Sequence, residues 1–239
     1  MFLNEKTAII FTHIPKCAGT SLRESIIVNN IESSLIYRSG SFKEVINHKK
    51  DFRYIIGHWP YGIENYCHFK NPIRNRKKLH ITFLREPIDH LISFFYFQKQ
   101  QIGYSAYKQE IGDKSIVEFY ESVPRALNLQ TKFCAGVFYE QLFRRTSRAG
   151  SKIQLNKAKQ NLIKRFDFVG QFENYTNDLE LMSKTYNLKL DITHNNVTKT
   201  HKRIAKKDLS LKEINKLKEL NALDMELYKF ASEKIFSNR

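Results

Sequence analysis

Residues 13–22, HIPKCAGTSL, place a lysine, a glycine and two hydroxyl side chains in one short loop. Lys16, Cys17, Ala18, Gly19, Thr20 and Ser21 together have the makings of a phosphate cradle. Backbone N–H groups at a helix start point at the anion, the positive end of the helix dipole faces it, and the lysine adds a full charge. A kinase-type loop has the pattern G-x-x-x-x-G-K-[ST]. With Gly19-Thr20-Ser21 set on its G-K-[ST], Thr20 takes the lysine place, Ile14 takes the place of the first glycine, and the lysine stands earlier, at Lys16. Pro15 stiffens the turn further. No later segment reads as a strand ending in an aspartate that would hold magnesium. The loop thus argues against a nucleoside triphosphatase. It suits a nucleotide whose 5′ end carries two anionic groups and needs no metal. Lys16 would sit against the group that becomes the leaving phosphate, and the N–H groups of Ala18 to Ser21 would wrap the 5′-phosphate. Cys17 is expected to lend its backbone N–H, with a thiol pKa lowered by the cradle and Lys16. The plainer reading is an ordinary strand-to-helix turn with Ser21 as its cap.

Such a loop needs a strand before it and a helix after it. AIIF at 8–11 supplies the strand, and Ser21-x-x-Glu24 is a capping box with Leu22 and Ile26 on one face. Three more apolar runs bounded by turn residues read as strands: FRYIIG at 52–57, LHITFLR at 79–85 and FDFVGQF at 166–172. Their brevity and their Ile, Phe, Tyr and Val content favour strands over buried helices. Pro87 opens a helix over IDHLISFFYFQKQ. SKIQLNKAKQNLIKRF reads as a helix feeding the strand at 166. Ser210-x-x-Glu213 caps one long C-terminal helix with an apolar stripe of Leu211, Ile214, Leu217, Leu220, Leu227 and Ala231. Segments 61–78 and 101–115 look loop-like. Strands alternating with helices predict an α/β fold, a P-loop-like three-layer α/β/α sandwich with a central parallel sheet. A length of 239 residues suits a single domain over residues 1–239.

Lys plus Arg number 40 against 24 Asp plus Glu, a formal charge of +16, which favours anionic partners. Basic clusters lie at 70–78, 143–148 and 200–207, any one of which is also explained as a solvated face. An anionic acceptor or a peripheral anionic surface is expected. No RNA- or DNA-binding motif is present, so nucleic acid is not the expected polyanion. No run approaches a membrane span, and MFLNEKTAIIF does not read as a signal peptide. Three widely spaced cysteines suggest free thiols in a reducing compartment, with the cytoplasm as the default and no zinc site.

HIPKCAGTSL followed by FLREPIDHLISFFY at 83–96 resembles the two nucleotide-binding motifs of sulfotransferases that use 3′-phosphoadenosine-5′-phosphosulfate. It looks most like the carbohydrate group that includes the heparan sulfate 2-O- and 6-O-sulfotransferases. ALNLQTKFCAG (126–136), FDFVGQFENY (166–175), HNNVTKTHKR (194–203) and NALDMELY (221–228) carry the resemblance over nearly the whole chain. In that family a strand-end arginine and a serine one or two helical turns on bind the 3′-phosphate. The matching positions are Arg85 and Ser93. The carboxyl end of a strand is where open α/β sheets bind ligands, and a guanidinium can grip a phosphate with two parallel hydrogen bonds. The plain alternative pairs Arg85 with Glu86 or Asp89 and buries Ser93 in its helix. Lys199 and Thr200 match a late loop that closes over the nucleotide. Gln130 and Thr131 match a segment near the substrate cleft, and NALDMELY is expected to pack or cap the C-terminal helix.

Sulfuryl transfer also needs a base, and an imidazole suits the task with its reference pKa of about 6.5. Of eight histidines, His58 emerges just past a strand end, beside Gly57 and an aromatic turn. In the 2-O-sulfotransferases a histidine of a Gly-His segment at this place is the catalytic base, and His58 matches it. A structural or substrate-contact histidine is the other reading, with Glu64 as the reserve base and His13 as structural. The resemblance implies in-line transfer of a sulfuryl group from 3′-phosphoadenosine-5′-phosphosulfate to a hydroxyl of an acceptor, foremost a glycan or glycolipid. Adenosine 3′,5′-bisphosphate is then the product, Lys16 stabilises the leaving oxygen, and no metal takes part. Two other classes stand beside it: a kinase or other phosphotransferase on the same scaffold, and an inactive basic protein that binds glycan or nucleic acid.

Overall fold

The computed structural model describes residues 7–19, 21–22, 36–38, 44, 47–49, 51, 53–100, 107–139, 148–190 and 205–238. Its centre is a five-stranded sheet built from β1 (Thr7–Thr12), β2 (Ile36–Arg38), β3 (Tyr54–Gly57), β4 (Lys77–Leu84) and β5 (Phe168–Gln171). The strand order is β2-β3-β1-β4-β5 and every neighbouring pair is parallel. All six residues of β1 are buried, as expected of a parallel strand covered on both faces, and this explains its unbroken apolar run.

Helices flank the sheet. Among the described residues they include α1 (Pro87–Gln100), α2 (Lys108–Ile111), α3 (Ile116–Ser122), α4 (Leu129–Ala135), α5 (Lys152–Lys164), α6 (Tyr175–Tyr186), α7 (Leu211–Leu220) and α8 (Ala222–Lys234). The predicted three-layer α/β arrangement is therefore present. Side-chain alternation divides the sheet between two cores. Ile9, Phe11, Ile56, Ile81 and Phe83 pack with Leu155, Leu162, Met182 and Leu227, whereas Ala8, Ile10 and Ile55 pack with Ile63, Cys67, Ile73 and Val137. A third cluster joins Ile88, Leu91 and Phe95 of α1 to Phe119, Tyr120 and Leu217.

Strand order locates the ligand edge. From β1 the chain goes on to β2 and β3 on one side, while from β4 it goes on to β5 on the other. The order thus reverses between β1 and β4, and open α/β sheets bind ligands beyond the carboxyl ends of the strands at such a point. Thr12 lies level with Gly57 and Thr82, so the residues after β1, β3 and β4 emerge on one edge.

Three details depart from the sequence expectations. The short strand β2 carries no distinct apolar signal. The single long C-terminal helix is two helices, broken at Asn221, which is fully buried and accepts a hydrogen bond from the Asn128 N–H at 2.6 Å. That side chain is committed to another part of the fold, so the backbone turns there. Leu211 consequently lies outside the apolar stripe, 79% exposed, while Leu217, Leu227 and Ala231 are buried. In the two segments expected to be loop-like, Ile63–Tyr66 and Pro72–Asn75 form 3-10 turns within 61–78, and α2 lies within 101–115. Glu24 of the proposed capping box lies outside the described residues.

Candidate functional site

The loop after β1 bends sharply. Lys16 has φ +68° and Ala18 φ +60°, left-handed values that strain residues with a side chain and persist only where neighbours enforce them. The enforcing contacts are visible. The Cys17 N–H donates to the Ile14 carbonyl at 3.1 Å. His90 Nε2 donates to the Pro15 carbonyl at 2.8 Å, and Arg85 Nη1 to the Lys16 carbonyl at 3.1 Å. The Lys16 ammonium lies 4.5 Å from the centre of the Phe97 ring. The Leu22 N–H donates to the Ala18 carbonyl at 3.0 Å, so a helix starts here and Gly19 and Ser21 belong to its first turn.

His58 stands beside this loop. Its Nδ1 lies 3.0 Å from the His13 carbonyl oxygen. A carbonyl can only accept, so Nδ1 carries the proton and, in the neutral ring, Nε2 carries the lone pair. The His58 ring centre is 4.2 Å from that of His13, which in turn stacks on Phe11. The His13 ring also fills the space beside Gly19, where a Cβ would come within 1.7 Å of it. His13 therefore links the phosphate loop to His58 through direct contact.

Arg85 is held by its backbone and its guanidinium alike. Gln130 accepts from the Arg85 N–H and donates to its carbonyl, both at 2.9 Å. The guanidinium carbon lies 4.0 Å above the Phe172 ring. Gln130 sits at the start of α4, where Asp224 of α8 accepts from the N–H groups of Gln130 (3.2 Å) and Thr131 (2.7 Å). Glu173, next to Phe172, accepts from the Glu86 N–H at 2.8 Å and from the Tyr228 hydroxyl at 2.9 Å. Asp224 and Tyr228 are packed into the fold, as expected for NALDMELY, and they also cap and tie elements other than their own helix. Ser93 is buried between His90 and Phe97 on one face of α1. Since those two residues contact Pro15 and Lys16, that face is turned to the loop.

The structure thus brings Lys16, Ala18, Gly19, Ser21, His58, Arg85 and Ser93 to one edge. Cys17 departs from its expected role. Its N–H is engaged by Ile14, its side chain is in the core, and burial pushes the thiol pKa up against the opposing pull of Arg85. Thr20, Lys199 and Thr200 lie outside the described residues. Glu64 lies away from this edge. Its Oε1 is 3.5 Å from His80 Nε2, and it borders a cavity of about 510 Å³ shared with Tyr61, Asn161 and Arg165. His80 lies four residues before Leu84, roughly 13 Å back along the strand. Burial raises the Glu64 carboxyl to about 7 and lowers His80 to about 4.

Sequence reasoning missed His90 and the anchors Phe172, Glu173 and Asp224. The spacing His90, Ser93, Phe97 was a usable signal for one helix face, but nothing local announces what that face meets.

The sulfotransferase family model matches residues 1–231, which include every strand and every residue of the site just described. No curated protein matches the chain. With the match spanning nearly its whole length, this chain belongs to the sulfotransferase family.

Proposed function

We propose that the protein transfers a sulfuryl group from 3′-phosphoadenosine-5′-phosphosulfate to a hydroxyl of an acceptor, a carbohydrate foremost, with His58 as base. The observation that carries this reading is the contact chain Gly19–His13–His58, which puts an imidazole bearing its lone pair on Nε2 against the phosphate loop. The residues fit such a donor. A lysine and a helix start suit its 5′ end, and a guanidinium with a nearby hydroxyl, Arg85 and Ser93, suits a 3′-phosphate. When bound, the donor supplies an activated sulfuryl group on a phosphosulfate linkage.

The chain's own groups have the following parts. His58 Nε2 takes the proton of the acceptor hydroxyl, while Nδ1–H, fixed on the His13 carbonyl, sets the ring orientation and stabilises the imidazolium that forms. The Lys16 ammonium offsets charge on the leaving oxygen. The first-turn N–H groups wrap the 5′-phosphate. A glycan or glycolipid acceptor accords with the positive charge, and three free thiols accord with the cytoplasm as its compartment.

The test separates binding from chemistry. His58→Ala should bind adenosine 3′,5′-bisphosphate as the parent does, without added metal, while sulfate transfer falls by about 10²- to 10⁴-fold. Retained turnover would remove His58 from the role of base. Stabilisation only by ATP with magnesium would replace the whole reading with a phosphotransferase.

A further inference from the structure

We infer that His90, to which the donor site proposed above gives no role, is the positioning residue that sets the phosphate loop for donor binding. The inference rests on the reading of residues 16–21 as the donor's 5′ cradle. His90 and Phe97 lie seven residues apart on α1, hence on one face, and they hold two consecutive loop residues. His90 Nε2 is 2.8 Å from the Pro15 carbonyl, and Phe97 lies beneath the Lys16 ammonium.

The chemistry at His90 has only one consistent form. The Pro15 carbonyl can only accept, so Nε2 carries the hydrogen, and a neutral ring then has its lone pair on Nδ1. Among the described residues Nδ1 is buried with no hydrogen-bond partner. If His90 merely filled space, a phenylalanine would do so without leaving a buried acceptor unpaired. What the imidazole adds is the one N–H at Nε2. Burial, helped by the neighbouring charges of Arg85 and Lys16, keeps the ring neutral.

That N–H has a specific effect on the loop. Proline has no N–H, so its carbonyl is the one backbone group through which Pro15 can be hydrogen-bonded. In a planar trans peptide the carbonyl and the next N–H point in opposite directions. Fixing the Pro15 carbonyl on His90 therefore turns the Lys16 N–H away from α1. It also steadies Lys16 in its left-handed conformation, at φ +68°. The side chain that must meet the leaving oxygen is thus aimed from α1.

The prediction concerns the donor's 5′ end specifically. In the full chain, His90→Phe should weaken adenosine 3′,5′-bisphosphate by about tenfold or more. Adenosine 3′-monophosphate, which lacks the 5′-phosphate, should be unaffected. His90→Gln, whose amide nitrogen can reach the Nε2 position, should restore most of the loss. Equal weakening of both nucleotides, or no rescue by glutamine, overturns the positioning role. A second measurement needs neither a variant nor a nucleotide. Imidazole ¹⁵N–¹H correlations of the parent at pH 7 should show His90 as the Nε2–H tautomer, and an Nδ1–H or doubly protonated ring overturns the inference. If the parent binds neither nucleotide, the donor reading fails, and the tautomer still decides the His90 contact.

Discussion

Gly19 and the Glu64–His80 pair show how single side chains are constrained. A methyl at Gly19 would come within 1.7 Å of His13, whose ring is packed between Phe11 and His58. Gly19→Ala must displace that ring, and overpacking of this kind costs about 1–3 kcal/mol. The variant should melt earlier and lose sulfate transfer, since the His13 carbonyl orients His58. Unchanged melting and turnover would show that the ring moves freely.

The Glu64–His80 pair makes a prediction about pH. At pH 5.5 the folded protein holds Glu64 protonated and His80 neutral, because burial raises one pKa to about 7 and lowers the other to about 4. The unfolded chain, with ordinary values of 4.5 and 6.5, holds Glu64 ionised and His80 charged. Each state binds one proton on the pair, so the two contributions to the pH dependence of stability cancel. Single substitutions should uncover them with opposite signs. His80→Gln leaves the raised carboxyl, whose stability is present below 4.5 and lost as pH rises through about 7. Glu64→Gln leaves the depressed imidazole, whose stability is present above 6.5 and lost as pH falls toward about 4. Each slope is at most about 1.4 kcal/mol per pH unit. Denaturant titrations at pH 5 and pH 7 check the signs, and parallel slopes would refute them.

At the scale of elements, the site depends on how α4 and α8 dock. Asp224 accepts from two N–H groups at the buried start of α4, and the Asn128 side chain accepts from the Asp224 N–H at 3.0 Å while the Asn128 N–H donates to the Asn221 side chain. This polar contact sets α4 so that Gln130 can hold Arg85 by its backbone. Asp224→Ala leaves two buried donors unpaired and should cost about 2–3 kcal/mol. Adenosine 3′,5′-bisphosphate should also bind more weakly, although Asp224 touches no part of the proposed nucleotide site. Isothermal titration reads the second effect. Full affinity in a folded variant would show that Gln130 holds Arg85 without help from α8.

For the molecule as a whole, the dominant quantity is its charge of +16. A field of that size speeds encounter with polyanions and is screened over about 10 Å at 0.1 M salt. A sulfated or uronate-bearing acceptor should therefore lose apparent affinity by about tenfold as sodium chloride rises from about 0.05 to 0.2 M. A neutral acceptor such as a methyl glycoside should show little change. Equal salt dependence for both would place the positive charge away from the acceptor path.

Much of this was legible in the sequence because the signals are local. An apolar run into a Lys-, Gly- and hydroxyl-bearing turn specifies a strand, a bend and a helix start, and Arg85 stands at the end of an unmistakable strand. The alternation of apolar runs with amphipathic stretches specified a parallel α/β sheet before any contact was known. The tertiary structure alone decided what holds these parts. His90 reaches Pro15 across 75 residues, Gln130 reaches Arg85 across 45, and Asp224 reaches Thr131 across 93. It also put the Cys17 side chain in the core and paired Glu64 with His80, back along β4 from the edge where Arg85 emerges. Periodicity records which face of a helix is buried, because burial repeats with the turn of the backbone. It does not record the partner, because a hydrogen bond between distant segments depends on where both arrive in the packed chain.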